Sequence, residues 1–180
     1  MTGEGGGQQD GAERARALFW RELVQLKIDA EYIQRYRDRL TRYLTWVDVA
    51  RAVVSVGALG SWIAGLGYPQ LWAGIIVVSQ VGEAVLGKLP LSARQKGLVT
   101  FGNALDAIFI DALFEWESID AEPMKAPEIT RRWHTLMRVR HEAEMKSIGD
   151  GLPFDRRLFR LAEQAAESYF KTNYGVGRLA

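Results

Sequence analysis

Cysteine is absent from the sequence, and with it any disulfide framework, thiolate metal site or thiol nucleophile. That absence fits a reducing compartment. An excess of one charge sign is also missing: 23 Lys and Arg against 22 Asp and Glu leave a formal net charge of +1. No global field therefore recruits nucleic acid or acidic substrates, and no nucleic-acid partner is expected. Residues 1–11 are rich in Gly and Gln and lack the basic start and apolar run of a signal peptide, so a disordered tail is expected there. The most informative absence is local. From Ala52 to Gly82 not one side chain is charged.

This uncharged stretch is divided at Gly65-Leu66-Gly67-Tyr68-Pro69-Gln70, where two glycines and a proline mark a turn. Two arms result, 46–66 and 70–89, each near the roughly 20 residues that span a hydrocarbon core. A transmembrane hairpin is expected, with a buried soluble hairpin as the alternative. Trp46, and Trp62, Tyr68 and Trp72 around the turn, stand where aromatic rings settle at a membrane interface. Arg35, Arg37, Arg39, Arg42 and Arg51 precede or begin the first arm, Lys88, Arg94 and Lys96 end or follow the second, and the turn has no Lys or Arg. The positive-inside rule then places both termini in the cytoplasm and the turn outside.

Between residues 12 and 45 there is neither Pro nor Gly, and helix formers dominate, which predicts one long cytosolic helix. Phe19, Leu26, Ile33, Leu40 and Val47 repeat every seven residues, with Leu23, Ala30 and Leu44 offset by four, giving one apolar seam that needs a partner. The charges between them, among them Arg21, Glu22, Lys27, Asp29 and Glu31, predict a solvated face. Beyond the hairpin, Leu98, Phe101, Leu105, Ile108, Phe109, Ala112, Leu113, Trp116 and Ile119 recur at three- and four-residue steps over 92–120. This cytosolic helix is the expected antiparallel partner of the seam. Asp106 and Asp111 weigh against a third span, at about 2.5 to 3.5 kcal/mol each on insertion scales. Breaks at Pro123, Pro127, Gly149, Gly151 and Pro153 leave a C-terminal helical pair, 127–148 and 154–173. Leu158, Leu161, Ala165 and Tyr169 form the expected inward stripe of the last helix. The predicted fold is all-α: a two-helix transmembrane hairpin, long cytosolic helices packed antiparallel, and the C-terminal pair, in one helical membrane domain over 12–180.

Catalytic patterns fail on inspection. His141-Glu142-Ala143-Glu144-Met145 starts like a zinc-protease helix, but Met145 stands where the second histidine is required. His134 and His141 share a face with Arg138, and a cation between two candidate ligands argues against metal. No metal, cofactor or enzymatic activity is expected. Glu83, in the second arm just beyond the uncharged stretch, is the strongest anomaly, about 7 to 8 Å along the axis from Lys88, with Ser79 and Gly87 on its face. Such a carboxylate either lines or gates a pore, or snorkels and pairs with Arg51, Lys88 or another chain. Gly57, Ser61 and Gly65 form a small-residue ridge that permits close helix packing, within one hairpin or between copies. Asp48 and Arg51, three apart, are expected to pair within their helix at the inner interface. Since two helices cannot enclose an aqueous pore, any channel requires a homo-oligomer in the lipid bilayer.

Taken in order, Asp29-Ala30-Glu31-Tyr32-Ile33-Gln34-Arg35-Tyr36, the hairpin from Trp46 to Leu89, Leu113-Phe114-Glu115-Trp116-Glu117, and the later helices with Ala162-Glu163-Gln164 and Tyr169-Phe170 resemble the SLATT family of bacterial two-transmembrane domains, associated with nucleotide-signalling and conflict systems. The resemblance implies an effector that permeabilises or depolarises the membrane in anti-phage, abortive-infection defence. It implies no catalytic residues, and a trigger that arrives through a cytosolic sensor or signalling partner or at the cytosolic helices. A non-catalytic scaffold or anchor that recruits a cytosolic partner is the alternative.

Overall fold

The computed structural model describes residues 4–55, 91–149 and 152–175, and among these there are four α-helices and no strand. They are α1 (Glu4–Ser55), α2 (Leu91–Ala121), α3 (Ala126–Ser147) and α4 (Arg156–Tyr174). The expected arms 46–66 and 70–89 fall largely outside the described residues, as do Gly57, Ser61, Gly65, Ser79, Glu83, Gly87 and Lys88. The chain divides into two compact units, Met1–Tyr36 with Gly97–Ala180, and Arg37–Lys96.

In the first unit the predicted seam is the core. Phe19, Leu23, Leu26, Ala30 and Ile33 of α1 are buried with Leu98, Phe101, Leu105, Ile108, Phe109, Ala112 and Ile119 of α2. The two helices run antiparallel in constant register. Phe19 stacks on Trp116 with centroids 6.2 Å apart. The Lys27 ammonium lies 5.4 Å from the Phe109 ring centroid. Gly102 comes so close to α1 that a Cβ there would stand 3.4 Å from Ile33 Cγ2. In each of these pairs the residue numbers add to 135 or 136.

Helix ends follow their local chemistry. Pro127 occupies the first turn of α3, where its missing N–H is not needed. Asp155 caps α4 by accepting from the backbone N–H of Arg157 at 2.9 Å and of Leu158 at 3.1 Å. Gly175 ends α4 at φ 67°, the left-handed conformation a C-terminal glycine supplies. The connector into α4 is fixed to α1 by Tyr32, whose hydroxyl donates to the Pro153 carbonyl at 2.7 Å and accepts from the Asp155 N–H at 3.0 Å.

Three expectations change. First, α1 begins at Glu4, inside the segment expected to be a tail. Its start is held where Arg16 donates to the Glu122 carbonyl at 3.1 Å and where Gly11 approaches Ala126. A helix nucleated there extends backward by propagation alone, despite the glycines. Second, the fully buried stripe of α4 is Ala162, Ala166 and Phe170; of the expected stripe Leu158 and Tyr169 pack half-buried beside it, while Leu161 is exposed. The two alanines let α4 approach closely, and Phe170 meets Trp20, Phe109, Tyr169 and Tyr174 edge-on or tilted. Third, the charged face of α1 is not simply solvated. Val24, Ile28 and Tyr32 form a second buried stripe among the charges. Lys27 lies over the Phe109 and Tyr169 rings while pairing with Glu31 at 3.2 Å.

The second unit is described over residues 37–55 and 91–96. There Gln95 Nε2 donates to Thr41 Oγ1 at 3.3 Å, so the chain returns to its own starting level after passing through the uncharged stretch. The residue numbers of this pair add to 136. Leu40, Leu44 and Val47, the far end of the heptad series, are half-buried.

Candidate functional site

Two features stand apart from ordinary core packing. The first is the seating of α3. Of this helix Ile129 and Leu136 are buried, and Ala126, Trp133 and Ala143 pack half-buried against the core. Two arginines add ion pairs to that contact. Arg132 pairs with Glu115 of α2 and, at 3.4 Å, with Glu128 one turn earlier. Arg140 forks onto Glu22 and Asp29 of α1 with one nitrogen each. Burial pushes the Asp29 carboxyl above its ordinary value of 3.8, against the pull of Arg140 and the Gln25 amide. Packing around Asp29 thus disfavours its charge, and Arg140 keeps that charge tolerable.

A cavity of about 360 Å³ remains between α1, α2 and α3. Phe19, Ile108, Ala112, Leu136 and Val139 form its apolar wall, and Asp111, Glu115, Arg131 and Arg132 bring both charge signs to its rim. The Thr135 hydroxyl donates to the Arg131 carbonyl at 3.1 Å. On the outer face of α2, Ile110 and Phe114 stand one turn apart with 66% and 74% of their surface exposed. That is a helix-spaced apolar pair without a cover among the described residues.

The second feature is the end of α1 in the other unit. Asp48 is exposed there, and the side chain of Arg51, its expected partner, lies outside the described residues. Trp46 is 73% exposed, and Tyr43 and Val49 are also exposed, an unusual density of large apolar side chains on one helix. Arg39, Arg42, Arg94 and Lys96 are exposed in the same unit. None of these side chains was grouped by periodicity alone, although Trp46 was recognisable as an interfacial residue from its place before the uncharged stretch.

Among the described residues no three His, Asp or Glu side chains cluster as a metal site would require. His134 packs beside Trp133, with ring centroids 4.7 Å apart. One described helix segment, Arg94–Ala121, is long and apolar enough to cross a membrane, its most apolar 18 residues having a mean hydropathy of 1.5. Much of its apolar face is taken by protein, since Leu98, Phe101, Leu105, Ile108, Phe109 and Ala112 are core residues. Asp106 and Asp111 lie on its exposed side.

No family model, no curated protein and no solved structure matches this chain.

Proposed function

We propose that the chain is a non-enzymatic, two-pass protein of the bacterial inner membrane, with both termini cytoplasmic, that oligomerises to permeabilise the bilayer. The observation that carries the membrane hairpin is the closing contact between Thr41 and Gln95. A chain folded back at that register turns at about residue 68, within Gly65-Leu66-Gly67-Tyr68-Pro69-Gln70. From Thr41 to that turn each arm is about 40 Å long as helix, which exceeds a hydrocarbon core of about 30 Å. The excess would put the hydrocarbon boundary near Asp48 and Lys88, with Arg51 and Glu83, the charges that flank the uncharged stretch, just inside it.

Arms that kept this offset would have Arg51 within two residues of level with Glu83, which favours the paired role for this carboxylate at rest. A pore would then open by exchanging that pair for contacts between copies along the Gly57, Ser61 and Gly65 ridge. The role in anti-phage defence rests on the resemblance to the SLATT family. Expression of the intact chain is expected to depolarise cells and lower phage plating, and Glu83→Ala or Gly57→Leu to weaken the depolarisation. Unchanged depolarisation in both variants contradicts the pore.

A second reading, a scaffold that recruits a cytosolic protein, is favoured by the exposed Ile110 and Phe114 pair and by the half-open cavity under α3. The mass of the detergent-solubilised particle separates the two. A closed ring of several copies supports the pore, and a monomer or dimer that leaves vesicles sealed supports the scaffold.

A further inference from the structure

The two units carry opposite charge. Arg37–Lys96 has seven Lys and Arg against three Asp and Glu, a net +4, and the remainder has 16 against 19, a net −3. The near-neutral chain thus concentrates its positive charge around the uncharged stretch. On α1, Arg39, Arg42, Tyr43, Trp46 and Val49 fall within an arc of about 120° at 100° per residue. Asp48, the acid of α1 nearest the uncharged stretch, lies on the opposite side.

Order along this arc matters as much as composition. Arginines come first, then the two rings, then Val49, then the uncharged stretch beginning at Ala52. Arg42 precedes Trp46 by one turn, about 6 Å. That spacing matches the interfacial zone, about 5 to 8 Å on each side of the hydrocarbon. The register of the closing contact brings Arg94 level with Arg42 and puts Lys96 within one residue of level with Arg39. Arg42 donates only weakly, from Nε to the Asp38 carbonyl at 3.4 Å. No ion pair among the described residues holds Arg42 or Arg94.

We infer that Arg39, Arg42, Arg94 and Lys96, with Tyr43 and Trp46 above them, form a collar that takes the headgroups of anionic phospholipids. Phosphate oxygens suit the guanidinium forks, the rings occupy the level between phosphate and acyl chain, and zwitterionic headgroups offer the same site no net charge. This inference rests on the membrane reading proposed above and adds the lipid class.

The full chain reconstituted in nanodiscs of phosphatidylcholine with one fifth phosphatidylglycerol, followed by native mass spectrometry, tests it. Wild-type protein is expected to retain phosphatidylglycerol in preference to phosphatidylcholine, with the preference falling as salt rises. Removing two cations in Arg42→Gln/Arg94→Gln should weaken phosphatidylglycerol binding about 30-fold. Arg156→Gln/Arg160→Gln makes the same charge change at exposed positions of the other unit and should leave binding unaltered. Protein that resists alkaline extraction from the membrane yet shows no lipid preference, or loses it equally in both double variants, overturns the collar and leaves the hairpin standing. Protein released by alkaline extraction overturns the hairpin and the collar with it.

Discussion

Loss of Arg140 is the sharpest perturbation available in the first unit, because one guanidinium compensates two carboxylates on another helix. Arg140→Ala leaves Glu22 and Asp29 facing a gap with side chains only 15% and 22% exposed. Breaking a fully buried pair costs about 3 to 5 kcal/mol. An exposed pair contributes only about 0 to 1 kcal/mol. With this degree of shielding the expected cost is about 2 to 4 kcal/mol, near the upper range but discounted for solvent access. Since Ile129 and Leu136 are the only buried residues of α3, the loss should appear as opening of that helix rather than of the whole unit. Backbone amides of α3 are then expected to exchange with deuterium about 30- to 1,000-fold faster, while those around Phe19, Leu23 and Leu105 change little. Glu22→Gln alone should give a smaller acceleration, because Asp29 still holds Arg140. Exchange in α3 within threefold of wild type would refute the claim that Arg140 is needed to seat this helix.

Burial raises the Asp29 carboxyl above 3.8, so its favourable contribution is complete below that value and is lost as pH rises through the raised one. Thermal midpoints of wild type and Asp29→Asn, compared from pH 7 to pH 4, should therefore diverge in favour of wild type toward acid, and a constant gap contradicts this. Phe170→Ala empties a fully buried position and is expected to destabilise the first unit by about 3 to 5 kcal/mol, read by denaturant titration. Gly97→Ala would drive its Cβ into the carbonyl oxygen of Ser147, so it should destabilise by about 1 to 3 kcal/mol from overpacking, less the gain in helix propensity. If Gly97→Ala is stabilising, α2 does not approach the end of α3 as closely as described.

The seam of α1 and the apolar face of α2 were legible in the sequence because large aliphatic and aromatic residues repeat at helical spacing on both. Phe19, Leu26 and Ile33, with Leu105 and Ile108 opposite, needed no tertiary information. The break at Pro123 between α2 and α3 was equally local. By contrast, the inward face of α4 is carried by Ala162 and Ala166, whose small side chains give a weak hydrophobic signal but allow close approach. Glu22 and Asp29 read as solvent-facing because periodicity cannot distinguish a charge in water from one paired across helices. Only the position of Arg140, more than a hundred residues later, reveals the difference. The cavity under α3 was similarly out of reach, since it depends on how three helices fail to meet. The expected site residues Glu83, Ser79, Gly87, Gly57, Ser61, Gly65 and Lys88 rest on sequence and on the register at Thr41 and Gln95.

That register can be tested without background, because the chain has no cysteine. Single cysteines at 67 and 168, introduced as Gly67→Cys and Ser168→Cys, report the turn and α4 to a membrane-impermeant maleimide. A two-pass hairpin with cytoplasmic ends predicts that intact spheroplasts label at position 67, and at position 168 only after lysis. Labelling at 168 in intact spheroplasts, or no labelling at 67 until lysis, contradicts the hairpin.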